Sequence, residues 1–246
     1  MVRPVRNLYV IQHTDSEYLG RMEDHFEGRG IRFTYIRPHT TDGKLPPSAR
    51  FVDGIIFLGG GPWGAAGDRD LPSLAAEVAL SHECFALGIP QIGVGLGALI
   101  VALGGGAKVE KAPLRFEATE AVRCKEDALN GYMPERFPVA IYMRDRPVLP
   151  SYADVLAADA SGAPLVFQLG EKTLGFLGHP GAKRAMIEDL IMEFEESPDD
   201  IAPGLDELTR KTSSIEDALV EMMTGIIQVT GLMQPKTDRP RGFERS

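Results

Sequence analysis

The stretch IGVGLGALIVALGGG, residues 92–106, places six glycines in fifteen positions, and a glycine corner this dense serves one of two kinds of chemistry. Read as G-x-G-x-x-A over Gly93, Gly95 and Ala98, it would admit a pyrophosphate to a helix N-terminus. Read as G-x-(nucleophile)-x-G, it is a sharp strand-to-helix elbow that exposes its central side chain, with the next backbone N–H as an oxyanion donor. The donor would be Leu96, and the central residue is Gly95, which has nothing to attack with. Two further corners carry polar or glycine chemistry: Gln12-His13-Thr14, and Gly59-Gly60-Gly61-Pro62 followed by Trp63. Backbone N–H groups of Gly60 and Gly61 could face an anion. Trp63 could cap a pocket, stack on a ligand or pack.

These corners need elements to hold them, and the pattern supplies strands alternating with helices. NLYVIQH, IRFTYIR, VDGIIFLGGG and PQIGVG read as four strands. The stretch 18–26, with Tyr18, Leu19, Met22 and Phe26, and the stretch 71–87 have helical spacing. Such alternation predicts a mostly parallel sheet covered on both faces, with ligands at the carboxyl ends of the strands. A dinucleotide fingerprint normally opens the first such unit, whereas three strand candidates precede Gly93. The order favours the elbow. Beyond it, KVEKAPLRFEATEAVR reads as antiparallel strand, and LVFQLGEKTLGFLGHPG as a hairpin turning at residues 170–172. AKRAMIEDLIMEFEES reads as a helix ended by Pro198, and a Met-rich helix follows Ser214 with Leu219, Met222, Met223, Ile226 and Ile227 on one face.

Composition narrows the partners. The 246 residues suit one α/β domain with additions. Against 35 Asp and Glu stand 26 Lys and Arg, a net charge of -9 that disfavours nucleic acid or an anionic membrane as partner. The tail after Pro235 is locally basic, as a frayed terminus can be. Cys84 and Cys124 have no zinc-ligand spacing, so no metal or other cofactor is expected, and they form no disulfide framework. The first apolar run is too short for a signal peptide, which makes a cytoplasmic protein the expectation.

Taken together, residues of about 8 to 191 resemble a class I glutamine amidotransferase domain, the module that releases ammonia from glutamine with a Cys-His-Glu triad. GVGLGALIVALGGG is similar to that family's elbow and helix, FLGGGP to its oxyanion turn, VIQHTDSEYLGRMEDHFEGRGIRF to its opening strand and helix, and TLGFLGHPG to its His-Pro-Glu terminus. The resemblance implies a flavodoxin-like three-layer fold with a mostly parallel central sheet and a C-terminal helical extension. Its domains would be residues 1–196, a linker 197–214, and a helix with a basic tail, 215–246.

The resemblance also puts the family's nucleophile on Gly95 and its acid on Gly181, leaving His179 as a vestige. Loss of a triad nucleophile costs on the order of 10⁶ in turnover. Cys84 in a helix and Cys124 among acidic residues are poor substitutes. The expectation is a catalytically degenerate protein whose two glycines clear space in the cleft, with Gly60, Gly61, Gly95, Leu96 and His179 as ligand-binding positions. Members of the family commonly work with a synthetase, so a synthetase or amidotransferase partner subunit is expected, or a homo-oligomer through the C-terminal helix. An enzyme of altered chemistry, a non-covalent hydrolase or lyase using His179, is the alternative, and a nucleotide-binding protein a third.

Overall fold

The structure is a computed structural model, and it describes residues 7–233. The basic tail therefore lies outside the described residues. Four strands, β1 (Asn7–Ile11), β2 (Arg32–Ile36), β3 (Gly54–Phe57) and β4 (Gln91–Val94), alternate with α1 (Met22–Glu27), α2 (Leu74–Leu87) and, after β4, α3 (Leu96–Gly104). Next come β5 (Lys108–Glu110), β6 (Arg115–Arg123), β7 (Arg136–Met143), β8 (Arg146–Val148), β9 (Asp154–Ala158), β10 (Pro164–Leu169) and β11 (Thr173–Phe176). Three helices end the described residues: α4 (Arg184–Glu193), α5 (Ile201–Arg210) and α6 (Thr212–Thr230).

Nine strands form one sheet in the order β2-β1-β3-β4-β11-β10-β9-β6-β7. The run from β2 to β11 is parallel, and the pairs from β11 to β7 are antiparallel. The β10–β11 hairpin is the one the sequence indicated. The chain steps one way from β1 to β2 and the other way from β3 to β4. Because such crossovers are right-handed, α1 and α2 fall on opposite faces, and a crevice opens between the ends of β1 and β3. Those ends carry His13-Thr14 and the glycines 59–61.

Residues of β3, β4 and β11 are buried along their whole length, as central strands should be. The helix α3 is buried on nearly every side, which suits a sequence that is apolar all round. A Cβ on Gly97 would collide with the Phe57 carbonyl, and one on Gly93 with the Gly97 carbonyl. Much of the glycine run thus serves close packing of helix on sheet.

Two expectations about the C-terminal part differ from what the fold contains. Residues 197–214, expected as a linker, carry α5, whose Leu208 is buried and whose Gly204 lies against the Phe116 ring. Pro203 falls in the helix's first turn, where a proline removes no helical hydrogen bond, and Gly204 permits the close approach to Phe116. The last helix starts at Thr212 rather than after Ser214. Its apolar face packs on β7, α1 and a short turn of helix at Ala128–Gly131, burying Met222 and Met223 completely. The face expected to recruit a second copy is used within the chain. Among the described residues no helix is long and apolar enough to cross a membrane.

Candidate functional site

The elbow is present. Gly95 sits between β4 and α3 at φ 56° and ψ -119°, a conformation that side chains rarely adopt. Its N–H donates to the Phe176 carbonyl at 2.8 Å, which locks the corner to β11. A Cβ built here would meet the Gly59 Cα at 3.3 Å and Glu17 Oε1 at 3.8 Å. There is room for a small side chain, and the nearest polar group is a carboxyl from the loop after β1.

That carboxyl is the feature the sequence did not disclose. Glu17 is 4% exposed and lies against the Gly59–Gly61 turn, where a Cβ on Gly59 would collide with it. The Gly61 N–H donates to its Oε2 at 3.3 Å. The anion-facing turn is therefore occupied by a carboxyl of the same chain. Burial is the main cause that pushes the Glu17 pKa up to about 7; Glu193 adds to the rise, while the Gly61 hydrogen bond and His13 oppose it. The loop is fixed at both ends: the Glu17 N–H donates to Thr14 Oγ1 at 3.0 Å, and those of Asp15 and Ser16 donate to the Glu193 carboxylate at 3.0 Å each.

His13 lies fully buried behind this loop. Its Nδ1 faces two carbonyl oxygens, of Leu58 at 3.1 Å and Gly59 at 2.9 Å, so it carries a proton. Its Nε2 is 2.7 Å from Glu77 Oε2, and both side chains have no solvent exposure. Burial would lower the His13 pKa, but the Glu77 carboxylate and the Gly59 carbonyl outweigh it and hold it above the ordinary value. Ser73 Oγ donates to the other Glu77 oxygen at 2.6 Å. Beside this pair is a cavity of about 240 Å³ lined by His13, His39, Trp63 and Ser73 among others. Trp63 thus walls a pocket, and the Arg69 guanidinium lies 5.1 Å over its ring.

His179 stands differently. The Gly181 N–H donates to its Nδ1 at 3.0 Å, and its Nε2 donates to the Tyr18 carbonyl at 2.7 Å. Backbone engages both nitrogens and fixes the neutral tautomer. Burial, as the main cause, lowers its pKa to about 4. At Gly181, a Cβ would lie 3.1 Å from the backbone nitrogens of Arg21 and Met22 and 3.2 Å from the Leu19 carbonyl. The start of α1 fills the space in which an acid would stand. The two glycines, expected to clear a cleft, are bounded by Glu17 at one and by backbone at the other.

The remaining expected positions fall where the strand order puts them. A Cβ on Gly60 would collide with the Leu96 side chain, so these two positions touch. Cys84 is buried in α2, and Cys124 is exposed with its Sγ 3.8 Å from the Val122 carbonyl. Beyond the elbow, Tyr142 of β7 is 4% exposed, and its hydroxyl has no hydrogen-bond partner. Burial chiefly, then the carboxylates of Glu17 and Glu196, push its pKa up to about 12. Among the described residues no group of three or more His, Cys, Asp or Glu is arranged to hold a metal ion.

With this geometry in hand, solved structures supply the comparison. The chain is similar to a glutamine amidotransferase from Methylobacillus flagellatus, with 19% identity over 95% of this chain and 98% of that one, and a TM-score of 0.79. It is also similar to a glutamine amidotransferase from Thermotoga maritima, with 21% identity over 94% and 100% of the two chains and a TM-score of 0.70. The fold is that of the glutamine amidotransferases. A candidate GMP synthase subunit from Thermoplasma acidophilum matches at 18% identity over 78% of this chain and 94% of that one, with a TM-score of 0.56. By sequence, no protein-family model and no curated protein matches the chain.

Sequence reasoning found the amidotransferase-like elbow, the glycine turn and His179, but missed Glu17, Glu77 and Tyr142. One signal was available: Glu77 falls in register with Leu80, Ser81 and Cys84 on the buried side of α2, and a carboxylate on a buried helix face demands a partner.

Proposed function

We propose that this chain is a catalytically degenerate glutamine amidotransferase-like protein that binds a small molecule or a partner protein at the former glutaminase cleft. The observation that carries the reading is the elbow: its strained geometry is kept at Gly95, where there is no nucleophile. The rest of the site agrees with it. A base for covalent catalysis needs a free nitrogen toward the nucleophile and an acid behind it, while both His179 nitrogens are engaged by backbone. The oxyanion turn faces an internal carboxyl. The similarity to a candidate synthase subunit supports a partner-dependent role, on surfaces other than the apolar face of α6.

The test is glutamine turnover by the purified protein. Ammonia release is expected to stay at the buffer rate, and His179→Ala to change nothing. Turnover that His179→Ala abolishes would overturn the reading.

One observation favours the second reading, an enzyme of altered chemistry: Glu17, buried beside the elbow, titrates near the pH at which a general acid or base is most useful. On that reading the acting group is Glu17 rather than His179, and Glu17→Gln would abolish an activity that His179→Ala leaves intact.

A further inference from the structure

Two residues beyond Tyr142, whose carbonyl lies 3.9 Å from a Cβ built on Gly95, Arg144 and a second guanidinium from a distant part of the chain meet on one carboxylate. Arg69, from the loop after β3, and Arg144, which follows β7, both donate to Glu196 between α4 and α5. We propose that Arg69 and Arg144 form a fork for the carboxylate of a small organic molecule, which Glu196 occupies as a tethered stand-in. This rests on the reading that the cleft binds a small molecule, and it names the ligand's chemical class.

The fork is built in advance. Asp145, buried at φ 64°, accepts from the Ala65 N–H at 2.8 Å and the Ala112 N–H at 3.3 Å, which ties the Arg69 loop to the backbone carrying Arg144. Arg69 is further held over the Trp63 ring. With Asp145 buried against the Arg144 stem, the two guanidinium groups are balanced by two carboxylates, so a ligand carboxylate that replaces Glu196 keeps the cluster neutral. Guanidinium is the group best shaped for planar recognition of a carboxylate.

The donor capacity is not used up. Arg144 Nε is buried without a hydrogen-bond partner, and so is the Tyr142 hydroxyl, which lies within electrostatic range of both Glu196 and Glu17. Buried polar groups in native proteins are nearly always satisfied, and an orphan marks a place where a ligand or water completes the set. The Glu196 side chain is 41% exposed, so it can leave the fork without uncovering the core. A ligand carboxylate would take its place, with a second polar group to meet Tyr142.

The single tryptophan lies under Arg69 and reports on the fork. Full-length protein is titrated with succinate, following Trp63 fluorescence, with succinamide as the neutral control at matched ionic strength. Removing a tethered competitor raises apparent affinity by its effective concentration, so Glu196→Gln should tighten succinate binding by about tenfold. In that background, Arg69→Gln and Arg144→Gln should each weaken it by at least about tenfold, and succinamide should give no saturable response. Arg69→Gln, on an exposed loop, carries the test if the Arg144 variant does not fold by circular dichroism. No saturable response to succinate in Glu196→Gln, unchanged or weaker affinity in that variant, or equal responses to succinate and succinamide would each overturn the proposal. Glutamine turnover is measured on the same samples: its presence would overturn the degenerate reading, whereas a turnover-free protein that ignores succinate overturns the fork alone.

Discussion

His13 and His179 are both buried and both follow strand ends, one in a polar corner of the sequence and the other singled out by the amidotransferase resemblance, yet they are held in opposite states. His13 is paired with a carboxylate and kept protonated at Nδ1 by two carbonyls. His179 has backbone partners for both nitrogens and is driven toward neutrality. The histidine with an acid behind it is therefore not the one the amidotransferase resemblance singles out. A buried histidine's role is set by its partner's charge rather than by its place in a motif.

Four changes break or sharpen this contrast. The largest effect is expected at Glu77, where Glu77→Ala leaves a buried histidine without its counter-charge and should cost about 3–5 kcal/mol of folding stability. Urea denaturation near pH 6 measures it, and a loss below about 1 kcal/mol would mean that the pair is not a coupled buried unit.

Glu17 comes next, and its sign is opposite. In the unfolded chain it loses its proton near 4.5 and in the folded chain near 7. Between those values the folded state binds more protons, so stability falls as pH rises. Glu17→Gln should raise stability by up to about 3 kcal/mol at pH 8 and change little at pH 4. An equal effect at both pH values would contradict the placement of Glu17.

For His179 the window runs the other way. Its folded pKa is about 4 against an ordinary 6.5, so its contribution is full above 6.5 and is lost as pH falls. By pH 5 the loss should reach about 2 kcal/mol, and the stability curve of His179→Gln should be flatter between pH 4 and 6.5. The smallest change is Gly95→Ala, which forces a Cβ into the positive-φ corner near Gly59. Thermal melting should show a loss of about 1–2 kcal/mol.

Much of the fold was legible because it follows from periodicity and glycine placement. Runs such as GIIF and QIGV can only be buried strands between covered faces, and the corner at Gly95 can only be tight. The end of the chain was less legible, since Pro203 and Gly204 imply a break until Phe116 is known to lie beneath them. In the site, glycines and His179 were visible as residue types. Glu17 was not, because a glutamate in a loop reads as solvated until the sheet order brings that loop against 59–61. The same holds for Arg69 and Arg144, which only the topology brings to one carboxylate.

The central claim is that the cleft retains the shape of a covalent glutaminase site without the covalent chemistry. Its most direct test is intact-mass spectrometry after incubation with a chloroketone analogue of glutamine, which alkylates an activated nucleophile in such a site. The account expects the Cys124→Ser protein, which lacks the exposed thiol that a chloroketone would alkylate anywhere on the surface, to stay unmodified after hours at neutral pH. Stoichiometric addition of one analogue to that variant, at Cys84 or Glu17, would contradict it.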